Sequence, residues 1–211
     1  LETFDDKVVN KTELQKMLNL PVNPDVPMIA MVTRLVDHKG MDLVAAVLND
    51  ILYDDVQFVV LGTGDWRYEE LIKNAAAQFP NKVSANITFN SDLAQKIYAG
   101  ADIFLMPSQS EPCGLAQMIS MRYGTIPVVR ETGGLKDTVE PFISWEGTGN
   151  GFTFAAYNAH DMLHVIRQAE ETYRNKEQWK VVTTNAMKTD FSWNGPAREY
   201  LALYRKLTNK R

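Results

Sequence analysis

Only one cysteine, Cys113, occurs in 211 residues. No disulfide can form within the chain, and a cysteine-rich zinc site is excluded. Long apolar runs are also lacking. Stretches such as Met28–Val32 and residues 58–61 fall far short of the ~20 residues a membrane-spanning helix needs. No basic block interrupts the sequence, and 22 basic against 26 acidic residues leave a formal net charge of −4. That balance argues against a nucleic-acid surface. Internal repeats and low-complexity tracts are missing too. The chain begins at Leu1, without a methionine or a signal peptide, in an acidic amphipathic stretch. Such a start suggests a piece of something longer; a soluble, reducing, cytoplasmic setting is the default expectation. What is present is ordinary for a globular protein: 45% apolar and 23% charged residues, enough for one domain or two small ones.

Strand and helix signals alternate from about residue 26 to residue 130. Apolar runs at 28–32, 56–61, 83–89, 103–106 and 126–129 read as strands, the last demoted by Pro127 near its start. Helical spacing fills 40–52, 65–79, 92–100 and 115–123, with Asp65 placed to cap the second helix and Pro80 to stop it. Strands apolar on both faces, alternating with helices, predict a doubly wound α/β domain with a parallel sheet. Gly147 to Gly151 is the one linker signal, and it is expected to separate the sheet from a helical tail beginning at His160. The last helix, over 197–207, puts Tyr200, Leu201, Tyr204 and Leu207 on one face, a stripe that needs a partner surface.

Gly62-Thr63-Gly64 follows a strand and precedes a helix, but the third glycine of a dinucleotide fingerprint would fall on Arg67. A tight strand-to-helix turn facing the ligand crevice is the better reading. His160 and His164 stand four apart, yet Asp161 occupies the glutamate position of the zinc-protease pattern, so a metal site is rejected. Cys113 sits at an expected helix start with no histidine nearby in sequence, so its position is more informative than its sulfur. Arg34 and Lys39 flank the turn after the first strand, at the end of the sheet where open α/β folds bind ligands. Two cations beside a helix start suit a diphosphate, although a solvated loop is the alternative. Residues 107–115 and 131–135 are two further loops at the same end. In the first, Glu111 can accept hydrogen bonds from a polyol; in the second, paired Gly133 and Gly134 allow close backbone approach.

Five sets of residues resemble bacterial glycogen synthases and plant starch synthases. They are Thr33-Arg34-Leu35 with Lys39-Gly40, Tyr98-Ala99-Gly100-Ala101-Asp102, Glu111-Pro112-Cys113-Gly114-Leu115 with Tyr123-Gly124-Thr125, Thr132-Gly133-Gly134-Leu135-Lys136-Asp137-Thr138, and Phe191-Ser192-Trp193. The likeness runs in order from about residue 10 to residue 207 and covers only the carboxyl-terminal half of such an enzyme. It implies a Rossmann-like domain, the second half of a two-domain GT-B fold, at residues 26–190. Residues 1–25 would lead in from an absent amino-terminal domain, and 191–211 would form a helix packing back on it. The implied activity is retaining transfer of glucose from ADP-glucose to an α-1,4-glucan, without a metal or other cofactor. The acceptor would be held mainly by the absent domain, and neither nucleic acid nor membrane would be a partner.

By matching motif, Arg34 and Lys39 would hold the phosphates and Glu111 the glucose hydroxyls. Main-chain N–H groups of Cys113, Gly114 and Leu115 would meet sugar and phosphate, Phe89 would lie near adenine, and Gly62, Gly64, Thr132, Gly133 and Gly134 would line the donor site. Ala116 stands where relatives often have threonine. Ile119 stands where many retaining GT-B enzymes hold ribose with a second glutamate, which the synthase branch commonly lacks. A related transferase using a UDP-sugar, or a non-catalytic nucleotide-binding module, is the rival reading.

Overall fold

The computed structural model describes residues 6–208, so the start at Leu1 and the first residues of the lead-in lie outside the described part. Six parallel strands form one sheet: β1 (Met28–Val32), β2 (Gln57–Leu61), β3 (Val83–Asn86), β4 (Ile103–Met106), β5 (Ile126–Arg130) and β6 (Phe152–Phe154). Their spatial order is β3-β2-β1-β4-β5-β6. The order reverses between β1 and β4, and such a switch point opens a crevice at the carboxyl ends of those strands.

Alternate side chains of each central strand enter opposite cores. Ile29, Met31, Phe58, Val60, Ile103 and Leu105 face one side. There they meet α2 (Met41–Tyr53), α3 (Trp66–Gln78), α7 (Ala159–Arg174) and α8 (Lys176–Lys188). Met28, Ala30, Val59, Leu61 and Phe104 face the other side, against α1 (Lys7–Met17) and α4 (Ser91–Gly100). Two short helices complete the chain through the sheet, α5 (Ala116–Arg122) and α6 (Gly133–Thr138). Full burial of a side chain such as Phe58 contributes about 1.5–3 kcal/mol, so covering both faces accounts for the sheet's all-apolar strands.

Three expectations need correction. The glycine-rich linker does not mark the end of the sheet, because β6 follows it and pairs with β5 through Val128, Val129 and Arg130. The third strand stops at Asn86 rather than continuing to Phe89, where the chain leaves the sheet toward the crevice. Asp65 stands at the first residue before α3, yet its side chain makes no capping bond; Glu69 instead accepts from the Gly64 N–H at 2.9 Å. Pro127 is accommodated inside β5 opposite Phe104.

The segment before β1 is part of the domain. Lys11 of α1 is buried, with its ammonium 2.6 Å from Asp102 Oδ2, and it donates to the carbonyls of Pro24 and Val26 and to the Tyr173 hydroxyl. The last helix, α9 (Asn194–Thr208), has no buried residue; Tyr200, Leu201, Leu203, Tyr204 and Leu207 are all exposed. Among the described residues, no helix is long and apolar enough to cross a membrane.

Candidate functional site

The chain leaving β1 turns through a short 3-10 helix, Asp37–Lys39, before α2. Gly40 makes that turn possible: its φ is 80°, and a Cβ there would stand 2.3 Å from the Pro107 carbonyl oxygen. The turn therefore lies directly against the loop after β4, and the Gln109 N–H donates to the His38 carbonyl at 3.0 Å. Side chains clamp it from outside. Arg67 donates to both Asp37 carboxylate oxygens at 2.6 Å, and the Tyr68 hydroxyl donates to one of them. The Tyr157 hydroxyl bonds the Asp37 carbonyl and Asp42. The Tyr68 hydrogen bond, with help from Arg67, holds the Asp37 carboxyl below its usual range, while burial and Asp37 push Tyr68 up to about 12. Lys39 is thus presented from a fixed turn.

Two adjoining cavities open at the carboxyl ends of the strands. The first, about 290 Å³, is lined by Arg34, Lys39, Ser108, Glu111, Gly114, Leu115 and Ala116, among others. The second, about 370 Å³, shares Val32, Thr33 and Arg34 with it and extends past Gly62 to Phe89, Tyr98 and Ile119. Phe89 is 92% exposed there. Inside the first cavity the Lys39 ammonium meets Glu111 Oε2 at 2.5 Å, with side-chain exposures of 19% and 12%. The Ser108 hydroxyl reaches the same oxygen at 3.3 Å. The Arg34 guanidinium lies 3.0 Å from His38 Nε2. The arrangement holds two cations and one carboxylate around a space open to solvent.

Arg34, Lys39, Glu111, Gly114 and Leu115 are therefore brought together, and Gly62 and Phe89 join them through the second cavity. Gly64, Cys113, Thr132, Gly133 and Gly134 line neither. Gly64 spends its N–H on Glu69. Cys113 is exposed and free. Close approach at Gly133 and Gly134 is made to the neighbouring loop: Cβ atoms there would fall 2.3 Å from the Glu111 carbonyl oxygen and 1.9 Å from that of Cys113. The Gly134 N–H already donates to the Glu111 and Pro112 carbonyls, at 3.1 and 3.2 Å. The glycine pair thus supports the loop carrying Glu111 from beneath.

Three residues escaped sequence reasoning. Ser108 and His38 touch Glu111 and Arg34, and both sit within or beside the loops already singled out. Gln117 is buried on α5, and its amide donates to the carbonyl of Gly114 at 2.7 Å and to the Thr138 hydroxyl at 3.1 Å. It ties the Glu111 loop to α6, and no spacing signal in the sequence points to it. Among the described residues, no group of three or more His, Cys, Asp or Glu side chains is placed to hold a metal ion, His160 and His164 included.

The family model for glycosyl transferases group 1 matches residues 13–186. Glycogen synthase of Clostridium acetobutylicum is 58% identical over 203 residues, covering 96% of this chain and 43% of the relative. Glycogen synthase of Desulforamulus reducens is 52% identical over 206 residues, covering 98% of this chain and 43% of the relative. The chain thus spans less than half the length of these curated relatives. Among solved structures, the catalytic domain of starch synthase IV from Arabidopsis thaliana, bound to ADP and acarbose, superposes with a TM-score of 0.84 at 33% identity, over 95% of this chain and 42% of that one. Anabaena HepE in complex with UDP and glucose shares the fold alone, with a TM-score of 0.65 at 18% identity over 85% of this chain and 46% of that one.

Proposed function

The chain belongs to the group 1 glycosyltransferases, and on that footing we propose that it is the donor-binding half of a GT-B enzyme of the glycogen synthase kind. It takes glucose from ADP-glucose and, with an amino-terminal domain opposite, adds it to an α-1,4-glucan with retention, in the cytoplasm. The observation that carries this reading is the meeting of Arg34, Lys39 and Glu111 in one cavity at the switch point of the sheet. The identity to glycogen synthases and the likeness to a starch synthase support the choice of donor and acceptor.

The chemistry follows from charge. Cleaving the anomeric bond leaves the diphosphate more negative and the sugar cation-like. Arg34 and Lys39, once engaged with the bound donor, stabilise that diphosphate without further reorganising as the bond breaks, and their charge means that the reading calls for no metal. Lys39 reaches the phosphate by giving up Glu111, and the freed carboxylate then turns to the glucose hydroxyls. Phe89, exposed at the second cavity, supplies a ring for adenine. The apolar stripe of α9 covers the amino-terminal domain.

Calorimetry on this chain with ADP, UDP and ADP-glucose tests the donor assignment. ADP and ADP-glucose should bind and UDP should bind at least about tenfold more weakly, a difference of ~1.4 kcal/mol. Equal affinity for UDP would move the protein to a UDP-sugar transferase. Radiolabelled ADP-glucose should enter glucan with the full-length protein and not with this chain alone. Failure of the full-length protein would leave a nucleotide-binding module without catalysis.

A further inference from the structure

A third cleft, about 740 Å³ and larger than either donor cavity, is lined by Phe142, Trp145, Gln168, Glu171, Thr172 and Gln178, among others. It shares no residue with the donor cavities. Topology sets it at the other end of the sheet. A helix following a parallel strand starts at that strand's carboxyl end and runs back, so the last turns of α7 and the start of β6 lie at the amino ends. The cleft is bounded by those parts, including Phe152 and Arg174.

Trp145 is 84% exposed, so its indole adds little to the core. Its backbone is nevertheless firmly held. Ile143 and Thr148 form an antiparallel bridge closed by a 2.9 Å hydrogen bond, and the Gly147 N–H donates back to the Ile143 carbonyl. The Asn185 amide donates to the carbonyls of Gly147 and Gly149, at 2.9 Å each. A large exposed ring on a pinned turn beside a cleft is a preorganised contact surface. On the helical wall, the Glu171 and Gln178 side chains make no intramolecular hydrogen bond among the described residues. Among the described residues lining the cleft, only Glu171 and Arg174 are charged, one of each sign, which suits a neutral ligand rather than a phosphate or a nucleic acid.

We propose that this cleft is a second carbohydrate site that holds a segment of an α-glucan chain away from the reaction centre. The inference rests on the glucan-elongating reading above. A pyranose has one face of C–H bonds, which stacks on an indole, and a rim of hydroxyls, which bond to carboxylate and amide groups. Trp145 provides the plate; Glu171 and Gln178 provide the polar edge. The volume and the open position fit a stretch of polymer. Anchoring a long acceptor here raises its local concentration for the reaction at the other end of the sheet, an advantage that a short acceptor cannot use.

The test uses the full-length enzyme with Trp145→Ala and Trp145→Phe. Retardation in native gels containing glycogen is measured, with turnover on glycogen and on maltotriose. Trp145→Ala should lose retardation and raise the KM for glycogen roughly fivefold, the scale of one lost aromatic contact. Its kinetics on maltotriose should stay those of the parent. Trp145→Phe should keep most of the retardation. Unchanged retardation of Trp145→Ala overturns the site, as does an equal loss in both variants or a matching loss on maltotriose. Trp145-dependent retardation by a protein that does not use ADP-glucose would sink the functional reading and keep the glucan site. Turnover of ADP-glucose with unaltered retardation would do the reverse.

Discussion

Two lysine–carboxylate pairs link the same two strands at opposite ends. Lys11 and Asp102 meet at the amino ends of β1 and β4, while Lys39 and Glu111 meet at their carboxyl ends. Separations are alike, 2.6 and 2.5 Å, but surroundings are not. At the amino end the ions are 3% and 8% exposed. Lys11 also bonds two carbonyls and the Tyr173 hydroxyl, while Asp102 accepts from the Met28 N–H. Burial pushes the Lys11 amine down despite the neighbouring carboxylate. At the carboxyl end, among the described residues, Lys39 is partnered by Glu111, and Glu111 adds the longer Ser108 contact alone. One pair is saturated and closes the fold; the other is underbonded and faces a cavity, which fits the exchange of partners proposed above for donor binding.

Breaking the saturated pair should have the largest effect. Lys11→Met leaves Asp102 buried and charged, so unfolding in urea should show a loss of about 3–5 kcal/mol. ADP affinity of the folded variant should stay at the parent value. A loss below about 1 kcal/mol would mean that the Lys11 pair is no stronger than a surface pair.

Lys39→Ala should show the opposite pattern. Stability should fall by less than in Lys11→Met, because Glu111 keeps contact with solvent through the cavity, while ADP binding weakens by roughly 1.5–3 kcal/mol, the scale of a hydrogen bond to a charged group. AMP, without the distal phosphate, should be less sensitive. Unchanged ADP affinity by calorimetry would reduce Lys39 to a partner of Glu111 alone.

Glu170 sharpens the contrast with the smallest effect. Its carboxylate is buried on α7 with one oxygen unpartnered and the other 3.4 Å from Arg174. Burial first, and the Asp54 charge second, push it up to about 7. The folded protein thus keeps a proton that the unfolded chain has already lost. The stability this confers is present below the ordinary carboxylate range and is lost as pH rises through about 7. Glu170→Gln should flatten the fall in Tm between about pH 5 and pH 8 and should match or exceed the parent at the upper end. An unchanged slope would show that other groups set the pH response.

The same contrast marks what the sequence made legible. Apolar runs exposed β1, β2 and β4 because a sheet buried on both faces leaves no polar alternation to obscure them. β6 was hidden: Phe-Thr-Phe is three residues long and follows glycines that resemble a linker. Arg34, Lys39 and Glu111 were found from their positions after strands, yet the Lys39–Glu111 contact spans 72 residues and no local pattern encodes it. Lys11 went unread for a different reason. A lysine in an amphipathic stretch counts as surface until its partners, Asp102 and Tyr173, are brought to it by the fold. The role of Gly133 and Gly134 was visible as close approach, but the neighbour, the loop of Glu111 and Cys113, is brought to them by the fold.

The strand order also has a consequence for biosynthesis. β1 lies between β2 and β4, so one flank pairs with the next strand made and the other waits for residues 103–106. At translation rates of ~5–20 residues per second, that wait lasts roughly 4–15 seconds. Throughout it the nascent sheet ends in an unpaired, wholly apolar β1, the kind of edge that recruits strands from other chains. Ribosome-bound chains halted before residue 103 are therefore the form of this protein most in need of a chaperone, and those halted after β4 has emerged and docked are much less so.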